Sequence, residues 1–274
     1  MTKDFLFHAN EWVILGVSIA LFLLAIEVGF RLGRRNRPNI GEHAKSQINT
    51  IQGAMLGLLA LLLGFTFAMA ISRYEARKQL VLDEANAIGT TFLRAQLLPQ
   101  PQRQEVSQLL RQYVEVRMKF YKASVDPARL REAEKQTGQL HLHLWSYAAA
   151  LGEKDPRAVT VGLFLQSLNE VIDLDSKRLT ALENHVPQII LVLLYSVALA
   201  ANGLIGYGCG LGGRRNFYVT LTASMLIAFV ILVIVDLDRP RRGLIRVGQE
   251  RMLDLHNSLE SIYRGAGIIS PGNK

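Results

Sequence analysis

One cysteine in 274 residues, Cys209, leaves no intrachain disulfide possible. It sits in an apolar run, so no redox compartment follows from it. Charge is scarce: 20% of the chain, with 23 acidic residues against 31 Lys and Arg. No H-E-x-x-H, G-x-S-x-G or P-loop occurs. Zinc-protease, α/β-hydrolase and P-loop phosphoryl chemistry therefore lack their residues. His141 and His143 are two apart and face different ways on a helix, so they make no metal pair. Between residues 72 and 185 no run alternates with strand period, and no Asn-Gly joins two apolar runs. Internal repeats and low-complexity segments are missing too. No catalytic residue and no cofactor is expected.

What the chain has is apolar length. Half of it is hydrophobic and its mean hydropathy is +0.19. A membrane-spanning helix needs about 20 mostly apolar residues. Four runs qualify: residues 12–30, 51–71, 186–210 and 217–235. The first is not a cleaved signal peptide, because Arg31, Arg34, Arg35 and Arg37 follow it in place of a small-residue cleavage site. The net charge of +8 and pI near 9.7 read as juxtamembrane lysine and arginine at lipid headgroups, not as a nucleic-acid surface. No basic–aromatic interleaving argues for nucleic acid.

The reading is an all-α membrane protein with four transmembrane helices and a helical extramembrane domain between the second and third. Its parts are a first hairpin at 1–71, the helical domain at 72–185, a second hairpin at 186–235 and a C-terminal tail with an amphipathic helix at 236–274. In the domain, Val106, Leu110, Tyr113, Val114 and Phe120 fall at helical spacing. Asp126-Pro127 is a helix start, with Asp as N-cap and Pro at the first helical position. Asp155-Pro156 reads the same way, and its helix carries Val161, Phe164, Leu168 and Val171 toward the third span.

The stretch GFTFAMAISRYEARKQLVLDEANAIGTTFLRA, residues 64–95, begins as bilayer sequence and ends as water-facing sequence. It has no Pro, and after Gly64 no Gly until Gly89. Val81, Ala85, Ile88 and Phe92 continue its apolar stripe. One helix from about 51 to 98 is expected, roughly 70 Å long. The α-helix arriving at the third span is expected to be continuous in the same way.

Along the second span, Gly53, Gly57, Ala60, Gly64 and Ala68 recur at spacings of three and four. Such a face lets helix backbones approach closely in lipid. Leu58, Leu62, Phe65, Thr66, Met69, Arg73 and Arg77 are the candidate pore-lining residues on the neighbouring faces. At a pore mouth the two arginines would favour anions, and as headgroup anchors they would have no such role. Glu27, the one carboxylate well inside a span, is spaced for an ion pair with Arg31. Asp236 and Asp238 are the nearest approach to a hard-cation site, with too few oxygens for calcium. Salt bridging at a helix exit is the better reading. GCGLGG at 208–213 matches a dinucleotide fingerprint by spacing only, since a membrane helix precedes it. Its glycines read as the turn between spans three and four.

Residues 56–99 and 236–247 resemble the bacterial bestrophin-like membrane protein family. The resemblance implies kinship with bestrophins, which are pentameric anion channels whose second membrane helix lines the pore and continues into a cytosolic helical domain. Bestrophins also carry an acidic calcium cluster at the exit of the last span, where this chain has only Asp236 and Asp238 before basic residues. The expected function is an oligomeric, chloride-type anion channel in the bacterial inner membrane, with the lipid bilayer and further copies of the chain as partners. A non-conducting scaffold or sensor whose domain binds a partner is the alternative. A stator-like assembly is a third reading, without support from a membrane carboxylate. Seven Lys and Arg flank the short loops and ten lie on the other side, among them Lys3, Arg73, Arg77, Arg241 and Arg242. By the positive-inside bias the domain and both termini are expected in the cytoplasm, although the dense first loop argues the reverse.

Overall fold

The computed structural model describes residues 10–123, 126–240 and 243–265. Lys3, Arg241 and Arg242 lie outside them. Among the described residues eight α-helices follow one another and no strand occurs. α1 spans Glu11–Asn36 and is capped by Asn10, whose side chain accepts the Trp12 N–H. A 3₁₀ turn at Arg37–Asn39 leads to α2, Glu42–Ala95, which is 54 residues long. At 1.5 Å per residue α2 measures about 80 Å. It begins earlier than the apolar residues do, in polar turns where Lys45 pairs with Glu42 at 2.7 Å. Nothing interrupts it near Ser72, as the absence of Pro and Gly there requires.

α3 (Gln102–Lys122), α4 (Pro127–Lys154) and α5 (Val159–Glu183) follow. Then come α6 (Gln188–Gly212), α7 (Phe217–Asp238) and α8 (Glu250–Gly265). Asp126 caps α4 through the N–H groups of Ala128 and Arg129, with Pro127 behind it, as its sequence predicts. Asp155 does not repeat that role. Its carboxylate accepts the Arg157 N–H and its carbonyl accepts the Ala158 N–H, so Asp155 closes a turn after α4 and α5 starts only at Val159.

Two further expectations fail. The helix into the third span is broken at residues 184–187. Pro187 has no N–H to donate and disfavours helical backbone at Val186, and the Val186 N–H goes to the Asp238 carboxylate instead, 3.0 Å away. The glycines at 208–213 do not form a turn as a group. Gly208 and Gly210 lie inside α6, and only Gly213 turns the chain, with φ 71°.

Four stretches are long and apolar enough to cross a membrane. The chain divides into two compact units. The membrane unit holds α1, α2 as far as Tyr74, α6 and α7. Its core includes Phe22, Leu59, Leu194, Ala198 and Ile231. α1 and α6 touch backbone to backbone. A Cβ on Gly206 would stand 2.0 Å from the Ile26 carbonyl oxygen, one on Gly210 2.3 Å from that of Phe30, and one on Gly29 2.0 Å from that of Gly203. The helical unit holds α2 from Glu75, then α3, α4, α5 and α8. Ile88, Phe92, Leu110, Leu144, Phe164 and Leu168 form its centre. Each such side chain contributes roughly 1.5–3 kcal/mol on burial.

Candidate conduction path and its anchoring groups

The second span is the least covered of the four. In its most apolar window 17% of residues are buried, against 28%, 39% and 39% in the others. The uncovered side is the small-residue face. Gly53, Gly57, Ala60, Gly64 and Ala68 are all exposed, and a Cβ added at Gly53, Gly57 or Gly64 would meet nothing within 4 Å. The close packing expected of these glycines does not occur within the chain. The glycines that do pack backbones are Gly29 and Gly33 on α1 with Gly206 and Gly210 on α6. Both pairs are G-x-x-x-G, so the signal was present in spans one and three.

The pore-lining candidates separate by burial. Leu58 and Phe65 are exposed, beside exposed Leu61. Leu62 and Met69 pack against the apolar core of the membrane unit. Arg73 is half-buried. Thr66 and Arg77 are buried, on the opposite side of the helix from Gly57 and Gly64. Thr66 returns its hydroxyl to the Leu62 carbonyl at 2.7 Å. Arg77 donates from Nε to the Ala181 carbonyl at 3.0 Å and from Nη2 to the Asn184 carbonyl at 2.9 Å. These carbonyls end α5, so Arg77 satisfies acceptors that the helix leaves open and complements its negative end. A side chain buried against its own chain does not line a path between chains, which removes Thr66 and Arg77 from the set.

The carboxylates at the exit of α7 are anchors. Asp236 accepts the Leu244 N–H at 3.0 Å and the Ile245 N–H at 2.9 Å. Gly243 makes this loop possible: its φ is 115°, and a Cβ there would stand 2.3 Å from the Asp236 Oδ1. Asp238 takes the Val186 N–H, and its backbone carbonyl meets His185 Nδ1 at 2.9 Å. Arg239 reaches Glu11 at 3.7 Å. Both carboxylates are thus aimed at backbone N–H groups, which accounts for them without a cation. Glu27 does pair with Arg31, at 2.8 Å, and also with Arg215 at 3.2 Å. The Arg215 guanidinium lies 4.4 Å from the Phe30 ring centre.

The helical unit encloses a network of charge. Glu84 is fully buried and bonds the guanidinium groups of Arg117, at 2.7 Å, and Arg178. It also accepts the Tyr113 hydroxyl at 3.2 Å. Arg117 reaches on to Asp175 at 2.6 Å and lies over the Phe120 ring. Burial opposes the charge on Glu84, but Arg117 and Arg178 outweigh it and hold its carboxyl below the ordinary 4.5. Burial and then Glu84 push the Tyr113 hydroxyl well above its ordinary value of 10. Neither group exchanges a proton near neutral pH, so the network suits structure better than acid–base chemistry. Asp83, Glu170 and Asp173 lie outside this network, the last two exposed.

A sequence model of the Bestrophin-like domain matches residues 17–252. The fold is similar to that of a bacterial bestrophin homologue from Klebsiella pneumoniae, with 16% identity and TM-score 0.61 over 94% of this chain and 99% of that one. A Leu-to-Thr variant of the Klebsiella homologue gives 18% identity and TM-score 0.62 over 93% and 99%. A membrane protein variant with a Leu-to-Ala substitution gives 17% and 0.64 over 93% and 99%. No curated protein sequence matches the chain.

Proposed function

The chain belongs to the Bestrophin-like family, and from that premise we propose that it assembles into an ion-conducting homo-oligomer whose second span surrounds the path. The observation that carries this is the bare face of α2. Five small residues and three large apolar ones, Leu58, Leu61 and Phe65, stand uncovered on a helix that continues for 54 residues. Exposed glycine and alanine at this spacing suit close approach of a neighbouring copy. Leu58, Leu61 and Phe65 then turn toward the axis as an apolar constriction, of the kind that gates by dewetting.

Five copies is the number implied by the resemblance to bestrophins. Anion preference rests on that resemblance and on the +8 charge, since Arg77 is engaged with carbonyls. Residues 72–185 and the tail at 236–274 then face the cytoplasm of a bacterial inner membrane, on the side favoured by the lysine and arginine count. Purified protein in liposomes under a KCl gradient tests the reading. A current whose reversal potential lies near that of chloride supports it. A current reversing near the potassium potential removes anion preference, and the lack of any flux from intact oligomers removes conduction. A monomer in mild detergent would remove the shared path.

A further inference from the structure

A cavity of about 150 Å³ lies within the helical unit. Four cations line it: Arg77 on α2, Lys122 at the end of α3, Arg178 on α5, and Arg246 ahead of α8. Neither Asp nor Glu is among its described lining residues. The rest of the wall is mixed: Leu80, Val81, Phe120, Leu182 and Val247 are apolar, and Tyr121 and Gln249 are polar. Arg77 and Arg178 are buried and held in place by the α5 carbonyls and by Glu84, whereas Lys122 and Arg246 are exposed.

Each feature narrows the ligand. Arg77 and Arg178 are already engaged by carbonyls and by Glu84, and with Lys122 and Arg246 beside them and no lining carboxylate the cavity selects against cations. The apolar part of the wall favours a ligand with an apolar body over water or a bare ion alone. A bare inorganic anion would leave those walls uncovered. The volume is on the order of the space that takes one benzene-sized molecule, which excludes a long acyl chain. We propose that this cavity binds a small organic carboxylate: one anionic head among the cations and a compact apolar body against Leu80, Phe120 and Leu182. Ligand pockets commonly combine apolar walls with a few placed polar groups. The bound molecule touches α2, the helix that also carries the second span. The inference is independent of conduction, because it is read from the helical unit alone.

Calorimetric titration of the full-length protein in detergent tests it, with benzoate as probe and benzyl alcohol and benzylammonium as controls of similar size. Saturable benzoate binding is expected, with both controls at least tenfold weaker. The exposed pair Lys122→Gln and Arg246→Gln, combined, is expected to weaken benzoate about tenfold, since each exposed charge contributes only modestly. Circular dichroism of the ligand-free double variant checks that it remains folded. Three results overturn the proposal: no saturable benzoate binding to folded protein, equal binding of benzyl alcohol, or unaltered benzoate affinity in the double variant.

Discussion

The membrane unit and the helical unit are both built from long helices, yet they are held together differently. In the membrane unit α1 and α6 meet through glycine, close enough that a methyl group on Gly206 would overlap the Ile26 carbonyl. Its buried polar groups mostly bond backbone: Asp236 and Asp238 accept backbone N–H groups, and Ser18, Thr66 and Asn202 bond carbonyls one turn back. Ser224 bonds Asn202 at 2.8 Å. In the helical unit two carboxylates and two guanidinium groups are buried together beside a large aliphatic core. The solvent explains the contrast. In lipid, apolar side chains gain little by leaving their surroundings, so shape and close approach decide helix association. In water, apolar burial drives packing, and charge can be buried only when every member is paired.

The largest effect should come from attacking close approach. Gly206→Leu forces a side chain into the α1 backbone and should destabilise the membrane unit by at least about 3 kcal/mol, seen as loss of a monodisperse peak. Gly64→Leu, equally bulky but on the bare face, should leave the single chain folded and alter only assembly or flux. If both variants behave alike, the two glycine faces are not different in kind.

Next comes the buried charge. Glu84→Gln strands Arg117 and Arg178 and should cost the helical unit about 3–5 kcal/mol. Trp145 lies in that unit and Trp12 in the other, so unfolding of a Trp12→Phe protein, followed by fluorescence, reports on the helical unit. The pH dependence has a definite sign. Because the folded carboxyl of Glu84 lies below 4.5, its contribution is complete above that value and is lost as pH falls through the folded pKa. In the Gln variant that acid-side loss should disappear.

Asp236→Ala should be milder, about 1–3 kcal/mol, for the N–H groups of Leu244 and Ile245 left without their acceptor. Gly243→Ala, strained at its positive φ and pressed against Asp236, should resemble it. A midpoint unchanged in both would mean that the loop after α7 adds nothing to stability.

The smallest effect tests a histidine. His141 stacks on Tyr113 with ring centres 5.1 Å apart. Burial, partly offset by Asp175 and reinforced by Arg117, holds its pKa below 6.5. The neutral form favours the fold, so its contribution is full above 6.5 and declines as pH falls toward the folded value. His141→Phe should flatten thermal stability as pH falls below about 6.5 without moving the midpoint at pH 8.

Much of this architecture is legible from local sequence. The four spans follow from run length, the unbroken α2 from its missing breakers, and the start of α4 from Asp126-Pro127. Each depends on residues near one another in the chain, where backbone geometry and hydration act directly. The break at 184–187 is half legible: Pro187 marks it, but the Val186 N–H finds its acceptor in Asp238, far along the chain. The glycine interface is visible as G-x-x-x-G in spans one and three, but the longer stripe in span two carries the same signal. A small-residue stripe says that something can approach, not which helix does.

Sequence by itself therefore determined the helices, their order and which runs belong in a bilayer, because these depend on period and hydropathy alone. Only the tertiary structure decided which side of α2 stays bare. It also decided that Arg77 closes α5 rather than guarding a mouth, and that Glu84 meets Arg117 and Arg178 across 33 and 94 residues. Those outcomes depend on contacts between distant segments, and no periodicity within one helix specifies the partner of a buried charge.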